Sequence, residues 1–335
     1  MSKRLTPSSR DVAALAGVSQ AAVSRAFSPD ASISGATRER VMNAAKTLGY
    51  RPNLLARSLI TGRSGIIGIV MGNPKNPSFI AALQSLSARL SKAGKHILIF
   101  TAEDADCAAD VHVEDLLWYQ VDALLLISAN LSSRLAGQCA AAGIPVIYLN
   151  RLRRRTDGTV SVSGDHVSGA RAIAAHLIEQ GYRRLSYMVG FRDSLTNQER
   201  ESAFCAQVAK EGLPEPKLLQ GHFQRDGAMQ AARSALSAPD RPDAIFCASD
   251  YMAMATIEVA RHEFGLQIGR DLGVAGFDDI DQAAWPSFDL TTYSQPVEAM
   301  MDTVTNILLH GRAGEHPSRI IVPGELKRRG STRRN

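Results

Sequence analysis

The sequence of 335 residues has no apolar run of the roughly 20 residues that a membrane-spanning helix needs. It opens Met1-Ser2-Lys3-Arg4 and continues through polar residues to Pro7, without the apolar core of a secretion signal. Cysteine is scarce. Cys107, Cys139, Cys205 and Cys247 lie far apart and form no C-x-x-C pair, so they read as free thiols of a reducing cytoplasm. Catalytic signatures are missing as well: there is no G-x-S-x-G elbow, no metal-spaced His cluster and no Gly-rich phosphate loop after a strand. Asp278 and Asp279 are adjacent, and glycosidase carboxylates must face one substrate from opposite sides. The expectation is a protein that is not an enzyme and uses no cofactor or metal. No segment joins a basic face to a large apolar one, which disfavours a membrane-surface role.

What the sequence does have is an uneven charge. Residues 1–63 hold ten Lys or Arg against three Asp or Glu, a net +7, and the remainder carries −2 of the total +5. A basic head on a near-neutral body is the electrostatic footprint of phosphate-backbone binding. Within that head, Asp11–Phe27 organises the chain. Val12, Leu15 and Ala16, then Val18, Ala22, Val23 and Phe27, give two short apolar faces broken at Gly17. That pattern predicts two helices meeting at a steep angle, a helix-turn-helix. Ser8 and Asp11 form a capping box for the first helix, and Ser19 caps the second. The second helix presents Gln20 at its start and Arg25 further on, suited to adenine and guanine edges in a major groove. Thr37–Leu48 predicts a third amphipathic helix, ended by Gly49-Tyr50-Arg51-Pro52. A small structural helical hairpin would share the first part of this pattern.

The runs DVAALAGVS…VSR (11–25), TRERV…A…LGYRPN (37–53), ARSL (56–59) and GIIGIV (65–70) together resemble the lactose-repressor (LacI/GalR) family of bacterial transcription regulators. The resemblance covers essentially the whole chain, with Ala22 departing from the family's usual Thr. It implies DNA contacts from Ser8, Ser19, Gln20, Ala21, Ser24 and Arg25 in the head. From a hinge helix it implies Asn53, Ala56, Arg57 and Leu59, with Leu59 as a minor-groove wedge. It also implies three divisions: a head at 1–50, a hinge and linker at 51–64, and an effector-binding and dimerisation body at 65–335.

From Gly65 short apolar runs alternate with helix-period segments, the βαβ pattern of parallel sheets covered by helices. Strands are expected at 66–71, 97–100, 123–127 and 146–149, and again at 185–189, 217–220, 244–247 and 273–275. The α/β class follows from this pattern. The resemblance adds a two-lobed, periplasmic-binding-protein-like body of doubly wound parallel sheets. Lobe 1 would span about 65–161 plus 294–322, and lobe 2 about 162–291 plus 323–330. The crossings are placed near Ser161–Ser163, Thr291–Ser294 and Val322–Gly324, and the basic tail 327–335 is expected to be mobile.

Ligands of open parallel sheets bind beyond the strand C-termini. Phe79 and Phe223 sit at such ends, where rings stack on a sugar or base. Each could equally be a core phenylalanine. By resemblance Asn150, Arg151, Arg200, Ser249, Asp250 and Asp278 complete an effector set; Arg200 belongs to the family's R-x-x-G/A-F/W motif. Either Asp278 or Asp279 could instead cap a turn, and Asp165-His166 is expected to fix a loop facing the cleft. The reading is a cytoplasmic, nucleoid-associated repressor. It would act as a homodimer on palindromic double-stranded operator DNA, under a small-molecule effector that is a sugar or sugar derivative. The competing readings are a sugar receptor without a DNA role, a regulator of a nucleobase or other non-sugar metabolite, and an architectural nucleoid protein.

Overall fold

The structure is a computed structural model that describes residues 7–27, 31–51, 63–72, 74–102, 110–151, 159–310 and 317–334. The chain divides into two compact units, Met1–Gly65 and Ile66–Asn335.

The first unit holds three helices among its described residues: α1 (Ser9–Ala16), α2 (Gln20–Ala26) and α3 (Gly35–Leu48). Local chemistry sets each boundary. The Ser8 side chain accepts from the Asp11 backbone while Asp11 accepts from the Ser8 backbone, so two orphan donors of α1 are satisfied reciprocally. Gly17 closes α1 at φ 63°, where a side chain would be strained. Ser19 caps α2 through the Ala22 amide. Ser34 caps α3, which therefore starts two residues before the expected Thr37. The core is small and built of short side chains, with Val12, Val23, Val41, Ala44 and Ala45 buried. Arg38 locks α3 to the end of α2 and to the chain after it by donating to the carbonyls of Ala26 and Ala31 at 2.9 and 3.3 Å. Leu15, read from the sequence as part of the apolar face, is 55% exposed; two turns of helix offer only a narrow buried stripe, which Val12, Ala13 and Ala16 fill.

Among its described residues the second unit contains two six-stranded sheets. The first is built from β1 (Ile66–Gly72), β2 (His96–Ala102), β3 (Ala123–Ile127), β4 (Val146–Leu149), β5 (Thr159–Gly164) and β11 (Arg319–Val322) in the order β11-β5-β4-β3-β1-β2. All of its pairings are parallel. In β3 the two-residue alternation is plain: Ala123, Leu125 and Ile127 face one core, Leu124 and Leu126 the other. The first core is closed by α4 (Pro77–Lys92) and α11 (Val297–His310), the second by α5 (Asp110–Trp118) and α6 (Ser133–Ala141). Burial on both faces explains why these strands read as unbroken apolar runs.

The second sheet has the order β12-β10-β9-β8-β6-β7. Its strands are β6 (Leu185–Val189), β7 (Lys217–Gln220), β8 (Ala244–Cys247), β9 (Gly273–Asp278), β10 (Thr291–Ser294) and β12 (Glu325–Lys327). The helices α7 (His166–Glu179), α8 (Leu195–Lys210), α9 (Arg225–Ser237) and α10 (Asp250–His262) cover it. After β5 ends at Gly164 the chain enters the second half, after Ser294 it returns to the first, and between Val322 and Glu325 it crosses again.

The C-terminal stretch corrects the expectation of a mobile tail. β12 pairs antiparallel with β10, and Ser331 and Thr332 are buried. The Ser331 hydroxyl donates to the Val274 carbonyl at 2.6 Å, and Thr332 meets His176 and Thr291, each at 2.7 Å. Two small hydroxyls can be buried where a basic composition suggests solvent, because the strand edge supplies their partners.

Val41→Ala removes two methyl groups from the small three-helix core and should cost about 2 kcal/mol. Amide exchange on the full chain checks it: protection across α3 falls roughly 30-fold while β3 is unchanged. Unchanged α3 protection would show that this core is not what holds the head together.

Candidate functional site

Two surfaces carry the candidate residues. On the head, Ser8 and Ser19, the caps of α1 and α2, and Gln20, Ala21, Ser24 and Arg25 on α2 are all exposed. Gln20 is oriented by donating from Nε2 to the Ser9 hydroxyl at 2.8 Å. Ala22 faces inward instead. Asn53, Ala56, Arg57 and Leu59 lie outside the described residues.

On the body, a cleft is lined by residues from the C-terminal ends of strands in both sheets. The first half supplies Asn76 and Phe79 after β1, Ser128 after β3, and Asn150 and Arg151 after β4. The second half supplies Phe191, Ser194, Thr196 and Arg200 after β6, Phe223 after β7 and Asp278 at the end of β9; Gln295 follows β10. Of the eight effector candidates the cleft gathers Phe79, Asn150, Arg151, Arg200, Phe223 and Asp278. Four of its residues hold left-handed backbone without being glycine: Ser128 (φ 50°), Asn150 (φ 51°), Phe223 (φ 52°) and Asp278 (φ 130°). Such conformations are costly and persist where the surroundings over-determine them. Phe223 is an instance. Its ring lies edge-on to Phe191, centroids 5.5 Å apart, and directly over Gly190, where any Cβ would overlap it.

Arg200 is 4% exposed. Its Nη1 donates to the Ala248 carbonyl, its Nε faces His166 Nδ1 at 3.2 Å, and its guanidinium carbon stands 4.0 Å from the Phe277 ring centre. Asp278 accepts from Gln295 Nε2. Two buried polar atoms of the cleft wall have no partner among the described residues, Asn150 Oδ1 and Gln295 Oε1, and of the Arg200 nitrogens Nε and Nη1 are the ones engaged there. Buried polar atoms are rarely left so, and both of these are acceptors. Burial raises the carboxyls of Asp278 and Asp250 above the ordinary range; the Asp278 charge raises Asp250 further, while Arg200 pulls Asp278 back.

Residues 10–53 match the model of the bacterial regulatory proteins, lacI family, and residues 174–332 match a periplasmic binding protein-like domain. Across 97% of the chain and 98% of the other protein, the sequence is 31% identical to the HTH-type transcriptional regulator CelR of Thermobifida fusca. The chain belongs to the LacI family of transcription regulators. Its fold superposes on a lac repressor dimer bound to operator and the anti-inducer ONPF, with a TM-score of 0.84 at 23% identity over 98% of this chain and 100% of that one. A CelR–cellobiose complex superposes with a TM-score of 0.69 at 28% identity, covering 97% and 99%. No helix among the described residues is long and apolar enough to cross a membrane.

Two of the sequence-derived candidates are corrected. Ser249 and Asp250 do not line the cleft of this family member. Ser249 caps α10 through the Met252 amide. Asp250 is wholly buried and braces the second sheet, accepting from Thr292 Oγ1 at 2.6 Å and the Ile280 amide at 3.0 Å. Asp165 is likewise occupied, accepting from the Ser168 amide at the start of α7. Conversely Asn76, Ser128, Phe191, Ser194, Thr196 and Gln295 escaped sequence reading. Asn76-Pro77 was legible as a helix start. Gln295 was not, because only the return of β10 beside β9 brings it to Asp278.

The raised carboxyls make the body's stability depend on pH with a definite sign. The folded state holds protons that the unfolded chain releases near 3.8, so stability falls as pH rises from there towards neutrality. Asp250→Asn keeps an acceptor for Ile280 and offers a donor to Thr292. Its melting temperature should therefore fall less than that of the wild type between about pH 5 and about pH 7. Parallel melting curves that fall equally would remove Asp250 from the effect.

Proposed function

We propose that this regulator is a homodimeric repressor whose body binds a sugar or sugar derivative and whose paired heads read a palindromic operator. The observation that carries the effector class is the cleft's unmet hydrogen-bonding. Asn150 Oδ1 and Gln295 Oε1 ask for donors, Arg200 Nη2 asks for an acceptor, and Phe79, Phe191 and Phe223 supply flat apolar faces. A ring bearing hydroxyls meets all of these, since each hydroxyl both donates and accepts and the ring's C–H faces stack on phenyl groups. The likeness to CelR, solved with cellobiose, and to the lac repressor, solved as a dimer on its operator, supports the same reading.

In this mechanism the effector bridges the two sheets. Asn150 and Phe79 belong to the first half, Arg200 and Phe223 to the second, so occupancy favours one angle between them. The hinges would meet, and Leu59 would enter the minor groove, only at the angle that binds the operator. Ser8, Ser19, Ser24, Asn53, Ala56 and Arg57 would position the protein on the backbone, and Gln20, Ala21 and Arg25 would read bases. A chain lacking residues 1–63 should keep effector binding and lose DNA binding.

Thermal-shift screening of cellobiose, ribose and nucleobases tests the effector class; stabilisation by nucleobases alone would replace the sugar reading. With the responding sugar, Phe223→Ala loses ring contact and Arg200→Lys loses the planar fork. Each should weaken binding by about 1.5–3 kcal/mol in calorimetry. Wild-type affinity in both would sink this map of the cleft. For the head, Gln20→Ala should change the preferred operator at one position by about 1–3 kcal/mol. Selection from random DNA reads this directly, and an unaltered consensus would count against Gln20.

A further inference from the structure

We infer that His166 is the positioning residue of Arg200: its Nδ1 lone pair fixes the guanidinium so that Nη2 points into the cleft. The inference takes its functional consequence from the proposed effector reading and adds to it a residue that does not itself line the cleft. His166 stands at the first residue of α7, where the chain has just crossed from the first half, and is 1% exposed. Arg200 Nε can only donate, so at 3.2 Å His166 Nδ1 must be the acceptor. That requirement fixes the tautomer: the ring is neutral and carries its proton on Nε2. Nε2 is buried with no partner among the described residues. A histidine chosen for packing alone could turn that proton to an acceptor; here the ring tolerates an orphan donor in order to present its lone pair to Arg200.

The surroundings agree. Burial, then Arg200, then Arg319 hold the imidazole well below its ordinary pKa, so it stays the neutral acceptor that the arginine needs. Its ring also packs on Phe277 with centroids 5.6 Å apart, and Phe277 lies under the guanidinium. Ala248, Phe277 and His166 thus take up an N–H of Nη1, one face and Nε of Arg200, which leaves Nη2 with both of its N–H groups for an effector. His166 stands directly after the crossing from β5, so the orientation of that donor is set beside the crossing segment.

The full chain tests this in two ways. The first needs no ligand. The Arg200 Nε–H resonance, assigned with Arg200→Lys, should be protected from solvent exchange in the wild type and in His166→Asn, whose amide oxygen can take the place of Nδ1. It should be lost in His166→Leu, which keeps bulk but has no acceptor. Melting curves of the three proteins show whether each is folded. Protection retained in the folded leucine variant, or lost in the folded asparagine variant, overturns the inference. The second readout is calorimetry with cellobiose and with ribose: His166→Asn should bind the responding sugar within about threefold of wild type, and His166→Leu at least about tenfold more weakly. Equal affinity in the leucine variant also overturns it. If neither sugar binds the wild type, the sugar reading fails, while the Nε–H signal still decides the role of His166.

Discussion

A guanidinium removed from water cannot lose its charge, so the neighbourhood must be built around it. Arg200 imposes that constraint on the second half of the body. The carbonyl of Ala248 at the end of β8, the ring of Phe277 in β9 and the imidazole at the start of α7 are fixed by it in three directions. Two buried carboxyls, Asp278 and Asp250, add the compensating field. Those groups arrive on separate elements that are far apart in sequence, so the charge is also a fastening: strands β8 and β9 and helices α7 and α8 must all be in register for it to be tolerated.

The cleft carries a second kind of constraint, in the backbone. Parallel sheets end their strands at one edge, and loops there must turn sharply into helices. Ser128, Asn150, Phe223 and Asp278 do so in left-handed conformations that glycine would adopt without cost. A side chain is retained at each, and each lines the cleft. The strained turns hold these groups at fixed positions, which lessens what an effector must order when it binds.

The head is stabilised differently. Its helices are of seven to fourteen residues, and the shorter two are below the length at which helices persist alone. A reciprocal cap at Ser8, single caps at Ser19 and Ser34, a core of valines and alanines, and the Arg38 clamp hold them together. Small side chains let the helices approach closely.

How much was legible depended on whether the cause was local. The caps of α1 and α2, the turn at Gly17, and strands such as Ala123–Ile127 and Leu185–Val189 follow from neighbours within a few residues, and the sequence by itself determined them. The basic head and the family resemblance were equally open to a sequence reading. Tertiary structure decided whatever depended on distant partners. Ser249 and Asp250 look like cleft residues from their place after β8, yet Thr292 and Ile280, some forty and thirty residues on, take up the carboxylate. Gln295 becomes part of the cleft only because β10 returns beside β9. The tail 327–334 has the composition of a solvated segment, and only the open edge of β10 and the carbonyl of Val274 give it a buried place. Hydrogen-bond satisfaction is a property of the assembled interior, and no local pattern in the chain encodes which partner will arrive.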